Sequence, residues 1–498
     1  MLRSMLGLNG DRDNTAQVIE TAKLQLSTSI ESHTSFFAPL RFRFINLEHQ
    51  FEAQIDWNFA GHGKLWVYNL NYFDFLQQAA FPPETGVLLM KGFAKAYEQL
   101  KDAKEPYPTS LRIVNWISFI ARHDIADETI NRVIHNDLIR LNKNVEYHLM
   151  GNHLMENAFA LLYGAVYFRN EKIYRKSRSI LHEQLEEQVL TDGAHFELSP
   201  MYHKIILARL VATIDLLKSN NPFQDIDLLK LMVDKAELML GWLLKIRFQN
   251  GSLPAVNDST EGIAPDTDSL FDQAKELELK PRTVELGVSG YRKRAGTHYE
   301  LLADVGNIGP DYIPGHAHSD TLNFLLNVKE SPIIVDSGIS TYEKNALRSA
   351  QRGTAAHNTV MVNDKEQTEV WGGFRVARRA KATVLEDTPE RLVAFHDGYR
   401  KWGQTHQRSF DFSDDSIRIQ DKLSKPAKAR AFLHFHPGIE LELTPNGLRT
   451  AAVTISFEGA TAVELDSYQF AEGFNLTTEA QRVVITFSEQ LTTNITVS

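Results

Sequence analysis

From about residue 85 to 246, apolar positions recur at spacings of three and four, the period of a helix with one buried face. Between His153 and Phe168, for example, Met155, Phe159, Leu162 and Val166 share a face. The pattern predicts helices over 85–104, 109–123, 126–148, 153–168, 170–189, 200–218 and 224–246, punctuated by Pro108, Gly151, Pro200 and Pro222. Ahead of them come a polar, helix-permissive opening over 12–31 and a turn-rich aromatic block, Phe36 to Phe75, containing IDWN (55–58) and LWVYNLNYFDFL (65–76). Consecutive amphipathic helices with short connections suggest antiparallel pairs. A ring of such pairs, an incomplete (α/α) toroid, is one arrangement of them, although no sequence repeat singles it out.

Near residue 290 the period changes to two. TLNFLLNV (321–328), SPIIVDSG (331–338), NTVMVND (358–364), SIRIQDKL (416–423), AVTISFEG (452–459) and RVVITFS (482–488) read as strands bounded by Gly, Asp and Asn. Strands in series without intervening helices suggest an antiparallel β-sandwich. The expected fold is therefore multidomain α + β. Residues 1–285 form the helical domain and 286–498 the β-sandwich, with the junction inside the charged stretch 277–296.

Composition narrows the function classes. A chain of 498 residues exceeds one ordinary core, and 43% hydrophobic with 23% charged residues is a soluble composition. A net charge of −10 argues against a nucleic-acid binder but leaves an anionic substrate open, since a cleft can be basic on an acidic protein. The chain has no cysteine, so thiolate chemistry and disulfides are excluded and any metal site must use His, Asp or Glu. No apolar run approaches the roughly 18 residues of a membrane span, and MLRSMLGLNGDRDN lacks the apolar core of a signal peptide. The expected location is cytoplasmic as the sequence stands, or periplasmic or secreted if a leader was removed. Nothing in the pattern sets an oligomeric state.

Three segments can carry chemistry. PGHAHSD supplies His316, His318 and Asp320; two histidines two apart on extended chain face opposite ways, which suggests separate tasks. With Asp336 and His357 downstream they offer an imidazole–carboxylate–imidazole set suited to a divalent metal, Zn²⁺ first and Mn²⁺ as an alternative, although either residue alone also reads as structural. GNHLMENA places Asn152 and His153 at a helix start, where an anion is favoured and where Asn also serves as a plain cap. In DGAHFELSPMYH, Ser199-Pro200 reads as N-cap and first-turn proline, putting Tyr202 in the first turn, where positive potential could lower its pKa, or where it is simply a tyrosine with a buried ring and a wet hydroxyl. Arg348, Arg352, Arg375, Arg378 and Arg379 form a basic cluster able to hold carboxylates or sulfates, or simply a charged strand edge.

Together these segments resemble the heparinase II/III family of polysaccharide lyases over nearly the whole chain. The resemblance rests on IDWN…LWVYNLNYFDFL, NHLMENAFAL, DGAHFELSPMYH, LPAVNDS (253–259) and GHAHSDTLNF…IIVDSGISTY…RGTAAHNTVMVNDKEQTE. It implies an α/α toroid joined to a β-sandwich, with the active cleft between them. It also implies that Asn152, His153, Tyr202 and His316 are catalytic, that His318, Asp336 and His357 hold a mainly structural metal, and, more loosely, that Tyr342 lies near substrate. Arg352 and Arg375 are the expected substrate-binding arginines.

The implied reaction is β-elimination on a uronate polymer, with glycosaminoglycans, heparan sulfate first, ahead of alginate or another polyuronate. Asn152 and His153 would stabilise charge building on the uronate carboxylate, and Tyr202 or His316 would take the C5 proton. The rival readings are a metal-dependent hydrolase, a glycoside hydrolase using two carboxylates such as Glu156, Glu197 or Asp258, and a non-catalytic glycan binder.

Overall fold

The computed structural model describes residues 19–28 and 31–498. Of the opening segment expected to permit a helix, residues 12–18 and 29–30 lie outside the described residues, and the rest is irregular.

Nine α-helices make up the first half of the described residues: α1 (Gly63–Tyr72), α2 (Pro83–Ala96), α3 (Pro106–Arg122), α4 (Glu128–Lys143), α5 (Gly151–Tyr167), α6 (Glu171–Gln188), α7 (Pro200–Ser219), α8 (Ile226–Ile246) and α9 (Thr267–Glu276). Asp127, Asn170, Ser199, Asp225 and Asp266 start α4, α6, α7, α8 and α9 by accepting a hydrogen bond from the backbone N–H three residues on. All seven expected helices are present; most ends shift by at most three residues, but α2 stops at Ala96 and α4 at Lys143, short of the expected 104 and 148. Two more were not expected. α1 lies inside the aromatic block read as turns, and α9 is short and polar. A small sheet, β1 (Phe36–Phe37), β2 (Arg41–Phe44) and β3 (Leu47–Gln50), packs beside α1.

α5 is the interior helix of this half. All its residues are buried except His153, which is half-buried. A helix apolar on nearly every side belongs in a core, and one continuous apolar core runs through the helical half around it.

The second half is antiparallel β-structure. β4 (Tyr291–Ala295), β5 (Tyr299–Asp304), β6 (Phe324–Val328) and β7 (Ser331–Ile334) form one sheet in sequence order. β8 (Val360–Val362) closes a second four-stranded sheet with Ala429–His434 and the long hairpin Ala462–Gly473/Leu476–Phe487. An open eight-stranded sheet is drawn from strands between Ala382 and Val497. Ser416–Leu423 shows the expected alternation of buried and exposed positions. A short hairpin, β9 (Glu369–Trp371) and β10 (Arg375–Ala377), and a short helix, α10 (Ala346–Arg352), stand beside these sheets. The three larger sheets share one apolar core.

A separate cluster, including Trp242, Ile246, Val284, Tyr291, Leu302 and Leu325, cements α8 to β5 and β6. The two halves therefore meet along a dry seam as well as through the connection between Glu276 and Tyr291. Among the described residues no helix is long and apolar enough to cross a membrane.

Candidate active site

A cleft of about 1110 Å³ lies where the halves face one another. Its helical wall includes Tyr107, Asn152, His153, Glu156, Glu197, Tyr202 and Arg209; its β wall includes Gly315, His316, Tyr342, Lys344, Phe374 and Phe474.

On the helical wall, α5 begins with two left-handed residues, Met150 (φ 54°) and Gly151 (φ 53°). A Cβ on Gly151 would lie 2.5 Å from Glu197 Oε1, so both the backbone and the space require glycine there. Asn152 is not the N-cap expected from the sequence, because the helix starts two residues earlier, at Gly151, with Met150 at the cap. It lies within the first turn, donates its backbone N–H to Glu197 Oε1 at 3.3 Å, and lines the cleft. His153 stacks on Tyr107 with centroids 4.4 Å apart and places Nδ1 3.3 Å from Glu146 Oε1. Ser199 and Pro200 start α7 as expected, with Ser199 Oγ accepting the Tyr202 N–H at 3.3 Å, and this sets Tyr202 into the cleft.

Across the cleft, the His316 ring lies 3.9 Å from the Tyr202 ring, tilted by 33°. The Tyr202 hydroxyl is 3.0 Å from that of Tyr342. Behind His316 stands Asp258. Its Oδ2 pairs with His316 Nδ1 at 2.9 Å and its Oδ1 with His318 Nε2 at 2.9 Å. Arg348 holds both carboxylate oxygens of Asp258. A carboxylate facing Nδ1 keeps the proton on that nitrogen and leaves the Nε2 lone pair of His316 free.

The electrostatics overturn one expectation. Tyr202 is not acidified: burial, then Tyr342 and the nearby Asp258 and Glu197, push its pKa well above the usual phenol value. The hydroxyl is therefore a proton donor at rest. Burial would also raise the Asp258 carboxyl, but Arg348, His316 and His318 outweigh burial and hold it well below the ordinary carboxylate range. Glu197 and Glu156 are both raised by burial; His316 and the Asn152 N–H partly offset this at Glu197, as Arg209 does at Glu156. Each keeps one buried oxygen without a partner, Glu197 Oε2 and Glu156 Oε1.

The structure brings together Asn152, His153, Tyr202, His316 and Tyr342, and leaves the other expected site residues outside the cleft. Arg352 does not face substrate. Its guanidinium is buried and donates to the carbonyls of Gly373, Ala317 and Gly315, because the last turn of α10 points it into the β half. Arg375 is exposed on β10, opposite Trp371 and away from the cleft lining.

The three expected metal ligands sit close together but as pairs. His318 is bonded to Asp258, while His357 Nδ1 lies 2.8 Å from Asp336 Oδ2, which also accepts from Asn323. Among the described residues no three His, Asp or Glu side chains form a group arranged to hold a metal. Two observations still fit a cation. His318 Nδ1 and His357 Nε2 are buried without partners, and a carboxylate on the other nitrogen of His318 is the usual support for a metal-bound imidazole.

Asp258 and Glu197 are named from the sequence only as spare carboxylates of a rival reading and Arg348 only as one of a basic cluster, none of them as the support of His316 or Asn152. Asp258 sits in LPAVNDS and Glu197 in AHFELSP, so the segments were visible. Their roles were not, because Asp258 and Arg348 meet across 90 residues. Backbone strain marks the same places: Leu198 (φ 56°) follows Glu197 and Asn257 (φ 52°) precedes Asp258.

Comparison with known proteins agrees with this architecture. The family profile for the heparinase II/III N-terminus matches residues 90–277, and that for the heparinase II/III-like C-terminal domain matches 279–498. A heparin-sulfate lyase of Bacteroides stercoris is 25% identical over 326 residues, which is 58% of this chain and only 46% of that protein. A heparinase III crystal structure superposes with a TM-score of 0.71 at 15% identity, covering 90% of this chain and 80% of the other. A mutant heparan sulfate lyase from Pedobacter heparinus gives 0.62, also at 15% identity, covering 90% and 79%. Both superpositions speak to the fold, a helical first half followed by antiparallel sheets. With profiles for both halves of the family matched in order across most of its length, this chain belongs to the heparinase II/III family.

Proposed function

We propose that this chain is a polysaccharide lyase that cuts a uronate-containing glycosaminoglycan by β-elimination. Heparan sulfate is the first choice, with chondroitin-type chains, hyaluronan and alginate as alternatives. The carrying observation is the Tyr202–His316 ring contact, with Asp258 behind the imidazole: one ring can accept a proton and its neighbour, from the opposite wall of the cleft, can give one.

In this reading the uronate carboxylate lies against Asn152 and His153. Glu197, whose Oε1 accepts the Asn152 N–H, fixes the turn that presents Asn152 to that carboxylate, where charge builds as C5 loses its proton. His316 Nε2 takes the C5 proton, the electron pair forms the C4–C5 double bond, the C4–O bond breaks, and Tyr202 protonates the departing oxygen. Tyr342, hydrogen-bonded to Tyr202, is placed to return the proton to it. Lys344 is exposed on the cleft lining and makes no ion pair among the described residues; it would meet anionic groups of the flanking sugars.

We read the helical half as the incomplete toroid and the β half as the sandwich of this family. We also propose a structural Zn²⁺ or Mn²⁺ held by His318 and His357 with Asp336. It would pin the loop that presents His316. The name of the Bacteroides relative and the uncompensated Lys344 on the cleft lining support the substrate class.

A panel of uronate polymers, followed by ultraviolet absorbance, tests the function. An unsaturated product supports the lyase. Cleavage to a saturated product would favour a hydrolase and sink this reading.

A further inference from the structure

The two walls of the cleft are joined a second time, far from the connection between the halves. The β2–β3 turn, Ile45–Asn46, and the turn of the long hairpin, Phe474–Asn475, touch each other with reciprocal bonds. Asn46 Nδ2 donates to the Phe474 carbonyl at 3.0 Å, and Asn475 Nδ2 donates to the Ile45 carbonyl at 2.9 Å. The partners are about 430 positions apart in the chain. Ile45, Asn46 and Asn475 are all left-handed (φ 47°, 61° and 57°), so both turns are tightly specified and present their polar edges to one another.

This clasp stands close to the chemistry. Phe474 packs on Tyr342 with centroids 4.8 Å apart, and Tyr342 touches Tyr202 through the hydroxyl pair. Ile45 and Phe474 both line the cleft. The two walls are therefore bridged two side chains from Tyr202, across the path that a polymer running through on that side would take.

We propose that the Asn46–Asn475 clasp is a specificity device that makes this chain cut acidic polysaccharides close to a chain end, releasing short products, and disfavours cuts in the middle of a long chain. The inference rests on the lyase reading. It adds that the occupant of the cleft is a terminus, held against a barrier formed by two turns. The two asparagines take no part in bond breaking; they decide which bond along the polymer can reach Tyr202.

The test compares product sizes with product formation. Wild type acting on a long uronate polymer should raise the ultraviolet signal while the polymer's mean length barely falls, with one small product dominant from the first time point. The Asn46→Ala/Asn475→Ala variant should shift to early, broad fragments and rapid loss of polymer length, with turnover on a short oligosaccharide within about two-fold of wild type.

Because the chain has no cysteine, the converse variant is clean. Asn46→Cys with Asn475→Cys, joined by a disulfide or a short bis-maleimide, should keep the wild-type product profile and polymer rate. Broad fragments from wild type at first turnover would overturn the proposal, and so would a cross-linked form that loses polymer cleavage but keeps oligosaccharide cleavage. The unsaturation signal reports on the lyase reading and the size distribution on the clasp, so the two failures look different.

Discussion

Arg348 grips Asp258 through both guanidinium nitrogens at a place where neither side chain is more than 1% exposed. The guanidinium also lies 5.0 Å above the ring of Tyr342, and its Nε donates to the Gly373 carbonyl at 3.1 Å. One buried cation thus fixes the carboxylate behind His316, the aromatic ring beside Tyr202 and the β9–β10 turn. A buried pair of this kind is costly to break from one side, because the remaining charge has nowhere to go.

Asp258→Asn should therefore show two losses. Folding stability should drop by about 3–5 kcal/mol from the orphaned Arg348, measured by denaturant melts. Turnover should fall by about 10²–10⁴, because the His316 proton is no longer held on Nδ1. Turnover unchanged in a folded variant would remove Asp258 from the mechanism.

Tyr202→Phe should lower turnover by about 10²–10⁴ and leave substrate binding within a few-fold, as measured by calorimetry. Tyr342→Phe should cost only about five-fold, the rate equivalent of one neutral hydrogen bond. If Tyr202→Phe retained its turnover, the proton donor would have to be sought elsewhere.

Much of this was legible along the chain and some was not, for physical reasons. Helices α2 to α8 announced themselves by period, and Ser199-Pro200 named the start of α7 from its capping chemistry. α1 was missed because its few buried positions sit inside an aromatic run that reads equally as turns. The first-turn position of Tyr202 is legible, but of the two readings its neighbourhood allows the structure takes the buried one: burial and carboxylates contributed from elsewhere raise its pKa, and no local pattern shows them. Arg352 was assigned by proximity in sequence to other arginines, whereas the direction of a side chain at the end of a short helix depends on what packs over it. The pairing of Asp258 with two histidines and an arginine is a tertiary fact, with no local period to reveal it.

The metal proposal predicts that the purified protein carries a stoichiometric divalent ion by elemental analysis. Chelation should lower Tm, and His318→Ala should abolish the ion content along with the chelator-sensitive part of Tm. Metal-free protein with an unchanged Tm would mean that the open nitrogens of His318 and His357 are structural orphans.

A second buried network makes a pH prediction. Asp421 pairs with Arg408 and His406 inside the β half, and although burial alone would raise it, these partners bring its pKa down to about 2. A carboxylate lowered in the folded state stabilises above its unfolded value and loses that contribution as pH falls. Roughly 2 kcal/mol should vanish between about pH 4 and pH 2. Urea melts across that window should show the loss in wild type and a flatter profile in Asp421→Asn. Equal slopes would mean that the pair does not govern acid sensitivity.

The left-handed residues Met150, Leu198 and Asn257 each adjoin a segment that supplies the cleft. None of these short stretches would hold such a shape alone, and at Leu198 and Asn257 the β half helps to impose it, through the Tyr291 hydroxyl on the Leu198 carbonyl and the His318 N–H on Asn257 Oδ1. It follows that catalytic competence should arrive late in folding and all at once. Either half made separately, however well it folds, should be inert, and mixing the two halves should restore activity only to the extent that the seam between them re-forms.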